Sequence, residues 1–145
     1  MNTIESFLTT QEEHQIILAI QEAEKGTSGE IRVHIEKNTE KPTLERAKEV
    51  FLYLKMDQTK QRNAVLFYVA VESKQFAIIG DTGIDKVTPA NFWNEEMKLV
   101  TTLFSQNNNQ EALEQGINKV GEKLKQFFPY QSDDTNELSD TISKG

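Results

Sequence analysis

Apolar residues along this chain recur with several different periods, and each change of period marks an element. Ile16, Ile17, Ile20 and Ala23 share one face at helical spacing. They follow a Thr10–Glu13 pair with the form of a capping box, in which a hydroxyl and a carboxylate each satisfy an orphan backbone donor. Gly26, just past Lys25, suits a left-handed helix stop. Residues 29–36 (G-E-I-R-V-H-I-E) then alternate, which is the period of a strand with one buried face. That period turns His34 away from Ile31, Val33 and Ile35, as a surface or helix-covered strand residue. After a polar loop, Leu44, Ala47, Val50, Phe51 and Leu54 predict a second helix over 43–56, with Thr43 as its N-cap.

The next stretch organises the rest. Residues 64–71 are an unbroken, Val-rich apolar run, which fits a central strand buried on both faces. Three polar residues, Glu72, Ser73 and Lys74, leave room only for a tight reversal, so 76–79 return antiparallel and end at Gly80-Asp81-Thr82-Gly83. Thr88-Pro89 has the form of a helix start, and Trp93, Met97, Val100 and Phe104 line the third helix with a stripe that reads as core rather than as a cofactor box. Asn107 to Asn109 break it. Leu113, Ile117, Val120, Leu124 and Phe127 define a fourth helix, in which Gly116 and Gly121 imply close packing on a neighbour or simple tolerance. From residue 131 the chain is polar with little to bury, so the expectation is one domain over 1–130 and a disordered acidic C-terminal tail over 131–145.

A strand, one helix and a second strand form a crossover, so the first two strands run parallel while the third is antiparallel to the second. The fold class is therefore α/β, with a small mixed central sheet of three to four strands and about four helices. This topology brings the start of strand one, the start of strand two and the end of strand three to one rim. Glu30, Arg62, Asn63, Gly80 and Asp81 stand there, and the loop carries Thr82, Gly83 and Asp85 past the same rim.

Composition narrows the chemistry. The 145 residues include no cysteine, which excludes disulfides and thiolate metal sites, and the two histidines are too far apart in the pattern for a zinc site. A net charge of −7 without a basic stripe argues against nucleic acid and for cations or basic partners. No stretch reaches the length of a membrane span and the start lacks a basic leader, so the expected setting is cytoplasmic.

Carboxylates gathered on one rim repel, and a proton or a cation relieves them. The metal-ligand set expected from the topology is Glu30, Asp81 and Asp85, with Asn63, Gly80, Thr82 and Gly83 as loop and support. Hard oxygen donors select calcium or magnesium, and the spacing is not that of an EF-hand. An Asp-Thr-Gly turn also serves simply to reverse a strand, and Asp85 or Thr88 to cap a helix. The Asp-Thr-Gly signature of aspartic proteases needs an all-β body with a second such aspartate, which this chain lacks.

The ordered set T-S-G-E-I-R-V-H-I, E-R-A-K-E-V-F, Q-R-N-A-V-L-F-Y-V-A, F-A-I-I-G-D-T-G-I and F-W resembles the TPM domain family over roughly residues 8–129. Relatives in that family include thylakoid-lumen proteins of photosystem II repair. The resemblance implies a three-layer α/β/α sandwich with helices on both sheet faces, divalent-cation binding in some members, and an acid phosphatase activity proposed for plant relatives. The residues that match are Glu30, Arg62, Asn63, Gly80, Asp81 and Gly83, while Ala64 stands where the family usually has glycine. Three functions follow as expectations. The first is a calcium-binding binding or accessory module. The second is a metal-assisted phosphomonoesterase acting on a phosphorylated small molecule, with Asp81 and Arg62 as candidate catalytic residues. The third is a protein-binding adapter without metal.

Overall fold

The computed structural model describes residues 3–130 and 138–145. Its elements in chain order are α1 (Thr3–Phe7), α2 (Thr10–Glu24), β1 (Glu30–Glu36), α3 (Thr43–Tyr53), a 3-10 turn (Met56–Gln58), β2 (Ala64–Ala70), β3 (Gln75–Gly80), α4 (Thr82–Val87), α5 (Phe92–Ser105), α6 (Asn109–Phe127) and β4 (Ser143–Lys144). The sheet order is β3-β2-β1-β4. β1 is parallel to β2 with Glu30 opposite Ala64, β3 is antiparallel to β2 with Gly80 opposite Val65, and β4 is parallel to β1 with Ser143 opposite His34.

All seven residues of β2 are buried, as an interior strand covered on both faces requires. One face, with Ile31, Val33, Ile35, Val65, Phe67 and Val69, packs against apolar positions of α2 and α6. The other, with Leu66, Tyr68 and Ala70, packs under Ala47, Val50 and Phe51 of α3 and under Met56. The architecture is an α/β/α sandwich. Close approach explains Gly121, since a Cβ there would stand 2.8 Å from that of Ala23 on α2. No helix among the described residues is long and apolar enough to cross a membrane.

Several expected boundaries shift. The first long helix is capped by Thr9 with Glu12, one residue before the expected box, and α3 follows Pro42 and ends at Tyr53. The largest change lies after β3. The expected open loop is instead α4, because the Asp81 carboxylate accepts from the Thr82 amide and caps a short helix there. α4 stops before Pro89, whose ring disfavours helical geometry in the preceding residue, and α5 begins at Phe92.

The expected tail splits in two. Residues 131–137 lie outside the described residues. From Leu138 onward the chain is placed: Leu138 packs toward the α3 side, Ile142 toward the α2 and α6 side, and Ser143–Lys144 extend the sheet. Two apolar residues and an edge strand with unpaired backbone groups are reason enough for the segment to dock.

A candidate cation site at the sheet edge

The register places Glu30, the start of β2 and Gly80-Asp81 on one rim, but the side chains gathered there divide into two sets. Arg62 holds Asp81 through a bidentate pair, Nε to Oδ2 at 2.6 Å and Nη2 to Oδ1 at 2.8 Å. Asp81 is 5 % exposed, and the Thr82 amide takes Oδ1 as well, so both of its oxygens are engaged. Arg62 has a left-handed backbone (φ 53°), and its carbonyl accepts from Gly83 at 2.8 Å. A Cβ on Gly83 would come within 2.2 Å of the Gln61 carbonyl oxygen, so α4 can lie against this turn only with glycine there. Asp85 and Thr82 are exposed on α4. Glu30, Asp81 and Asp85 therefore do not converge as a ligand group among the described residues.

Glu30 belongs to the other set. It offers a carboxylate oxygen within 4.8 Å of those offered by Glu24 and Asp140. Glu24 is the last residue of α2, and the turn after it is fixed to the end of α6: Thr27 Oγ1 donates to the Leu124 carbonyl at 3.0 Å, and the Ser28 amide to that of Phe128 at 3.1 Å. That anchorage sets Glu30, 2 % exposed, at the first position of β1. Asp140 arrives from the C-terminal segment. The three acids face a cavity of about 510 Å³ whose wall also includes Thr27, Ser28 and Tyr130.

The electrostatics are those of carboxylates brought close together at a partly buried site. Burial, then a hydrogen bond with Asp140 and the charge of Glu30, push the Glu24 carboxyl up to about 10, against the pull of the Ile31 amide that donates to it at 2.8 Å. The Glu24 carboxyl accordingly holds its proton at neutral pH. The Arg32 guanidinium, its pKa lowered by burial, lies near enough to Asp140 to interact with its charge, and donates to the Thr141 carbonyl at 3.4 Å.

The donor set fits a hard cation. It is all oxygen, with no histidine in the group. Asn63, 1 % exposed, donates its amide to Ser28 in the cavity wall at 3.2 Å, while its carbonyl oxygen has no donor among the described residues. Asn63, expected as support, thus stands behind the site.

Sequence reasoning missed Glu24 and Asp140. Glu24 looks like a solvated last-turn residue, and its only local signal is its place just before the T-S-G-E turn. Asp140 sits in a polar stretch where only Leu138 and Ile142 hint at docking.

A second polar cluster occupies the far end of β1. Glu36 accepts from Arg46 Nε and Nη2, both at 2.9 Å, from the Tyr68 hydroxyl and from His34 Nε2 at 3.1 Å. Burial acts to raise its pKa, but these donors outweigh burial and hold it at about 2. Burial lowers the pKa of His34 against the opposing pull of Glu36, so the imidazole is neutral at pH 7. With Nε2–H donated to Glu36, Nδ1 accepts from the Ser143 hydroxyl at 2.9 Å. His34 does point away from the Ile31 face, but into a buried network and not to the surface.

Comparison with known proteins places the fold. The chain is similar over its whole length to the BA42 protein of the psychrophilic bacterium Bizionia argentinensis, whose NMR structure it matches with 50 % identity, a TM-score of 0.91 and full coverage of both chains. It shares its fold with the N-terminal domain of the cg2496 protein from Corynebacterium glutamicum, at 14 % identity and a TM-score of 0.63 over 81 % of this chain and 74 % of that one. No curated protein matches. Residues 1–123 match the family described as the TPM domain, and the chain belongs to that family.

Proposed function

We propose that this TPM domain is a binding or accessory module that takes up a divalent cation, calcium in preference to magnesium, between Glu24, Glu30 and Asp140. The observation that carries the reading is the convergence of these three carboxylates on one cavity. Calcium accepts six to eight oxygens in loose geometry, which suits ligands drawn from a helix end, a strand start and a C-terminal segment. The cavity leaves room for waters to complete the shell. Magnesium demands near-octahedral geometry and dehydrates reluctantly, which suits this scattered set less well.

The geometry favours binding over phosphate-ester hydrolysis. That chemistry would draw on Arg62 and Asp81, and each already holds the other in a two-point ion pair. Calorimetric titration with calcium chloride, paired with backbone NMR, tests the reading. Shifts concentrated at residues 24–31 and near 140, with binding weakened at least tenfold in Glu30→Gln, are expected. A flat titration, or shifts centred on residues 81–86, would refute the assignment.

A further inference from the structure

We propose that Ser143, His34 and Glu36 act as nucleophile, base and orienting carboxylate, and that this domain transfers the acyl group of small carboxylic esters to the Ser143 hydroxyl and then hydrolyses it. The proposal is independent of the cation reading, whose acids lie at the other end of β1.

The sheet register assembles the three residues. β4 is parallel to β1 with Ser143 opposite His34, so both side chains stand on one face, and Glu36, two positions further along β1, shares it. The Ser143 hydroxyl lies 2.9 Å from His34 Nδ1, and His34 Nε2 lies 3.1 Å from Glu36 Oε1. Arg46, in two-point contact, keeps Glu36 ionised. A carboxylate only accepts, so Nε2 carries the imidazole proton and Nδ1 presents its lone pair to Ser143. Burial keeps the ring neutral at pH 7, the state that can take a proton. Tyr68 stacks beside it, with ring centroids 6.0 Å apart and 10° between the planes. The order of donors is that of a serine triad with the two ring nitrogens exchanged, and either nitrogen serves as the base.

Position distinguishes this set from a bond that merely docks a strand. His34 and Glu36 are buried, whereas Ser143 is half-buried on the outermost strand, so the orienting end is dry and the nucleophile is reachable. A Cβ on Gly145 would stand 2.9 Å from His34 Nε2 and 3.0 Å from Glu36 Oε1, so glycine lets the backbone close over that contact. The Gly145 amide donates to the carbonyl of Ile35, which pairs with Lys144. In a parallel ladder the Lys144 amide then faces away from β1, off the sheet edge. The amide that follows a nucleophile is a donor that acyl-transfer sites use for the developing oxyanion. An open strand edge suits a short acyl group with a good leaving group.

In the first step Ser143 Oγ bonds to the ester carbonyl carbon while its proton passes to His34 Nδ1, and Glu36 stabilises the imidazolium. The intermediate collapses, the bond to the alcohol oxygen breaks, and the alcohol leaves with the proton from Nδ1. Water then attacks the acyl-serine by the same route, releasing the carboxylic acid and restoring the hydroxyl.

The test uses the full chain and p-nitrophenyl acetate. Release of p-nitrophenol should accompany acetylation that mass spectrometry, after acid quenching, maps to Ser143. Ser143→Ala should abolish the label, and His34→Gln should slow acylation by about 100-fold. Nitrogen NMR of the His34 ring in the unmodified protein should show Nε2 protonated and Nδ1 bare, a readout that depends on neither turnover nor the folding of a variant. Acetyl groups on lysines instead of Ser143, an unchanged rate in Ser143→Ala, no reaction above the rate in buffer, or the opposite tautomer would each overturn the proposal.

Discussion

Calcium affinity in this domain should depend on pH in a way that ordinary surface acids would not produce. The perturbation is pH itself, between 6 and 8, well above the range in which exposed carboxylates titrate. Glu24 is held up at about 10 by burial, by the hydrogen bond with Asp140 and by the charge of Glu30, so the free cluster carries a proton throughout that interval. Carboxylate ligands must be deprotonated to coordinate, so each ion bound expels about one proton and the apparent association constant rises about tenfold per pH unit. From pH 6 to pH 8 the gain is about 100-fold, or roughly 2.7 kcal/mol. Calorimetric titration in buffers of different ionisation enthalpy counts the protons directly. The heat of binding should vary between buffers with a slope near one proton, and Glu24→Gln should remove most of that slope. Calcium binding with an affinity flat across this range and no buffer-dependent heat would refute the reasoning. It would show that Glu24 is ionised in the free protein, and therefore that burial and its carboxylate neighbours do not act on it as argued.

Three further outcomes follow from the same structure. Glu96, 3 % exposed with Oε2 lacking a partner, is held at about 8 by burial, partly offset by Lys119; because its folded pKa lies above its unfolded one, it costs stability as pH rises from about 4.5 to 8, by about 3 kcal/mol at pH 7. Glu96→Gln should therefore stabilise the domain at pH 8 and hardly at all at pH 4, as chemical denaturation would read, and an equal gain at both would contradict this. Glu36 has the opposite sign: held at about 2, it contributes stability that is full above about pH 4.5 and is lost as pH falls toward 2, so Tyr68→Phe, which removes one donor, should cost about 2 kcal/mol at pH 7 and raise the acid-unfolding midpoint. Gly83→Ala should destabilise by about 2 kcal/mol or more because its methyl meets the carbonyls of Gln61 and Arg62, and a melting temperature within a degree of wild type would show that α4 can move away.

The sheet was readable because its signals are local. The apolar run of β2 has no polar face to place in water, the three-residue turn forces the hairpin, and one helix between two strands makes them parallel. Those three facts suffice to put Glu30 and Asp81 on the same rim. Which acids meet there was not readable, because pairing is decided by distant geometry. Asp81 resembles a ligand until its partner Arg62, 19 residues earlier, is seen turning onto it. Glu24 looks solvated until the fold folds the C-terminal segment back over it. A two-residue strand has no period to detect, so β4 and the Asp140 three residues before it were invisible to any pattern. The even positions of β1 mislead in a related way: Glu30, His34 and Glu36 alternate like a solvated face, yet all three are buried.

The two ends of β1 make the physical distinction on which the proposed function turns. Glu36 closes β1, Glu30 opens it with Glu24 of α2 beside it, and burial acts on Glu36 and Glu24 in the same direction, yet Glu36 is held at about 2 and Glu24 at about 10. Burial cannot be what separates them. At Glu36 the protein supplies a guanidinium in two-point contact, a phenol and an imidazole N–H, and the charge is fully answered from within. Glu24 accepts from a backbone amide, that of Ile31, its side-chain hydrogen-bond partner is another carboxyl, that of Asp140, and the Arg32 guanidinium interacts with the charge of Asp140. The raised Glu24 carboxyl is answered by something that comes from solution. In the acid range and at neutrality a proton does so. On the proposed reading a divalent cation would do so more completely, because it could answer three carboxylates at once where the proton answers one, and this is the end of β1 that opens onto a cavity.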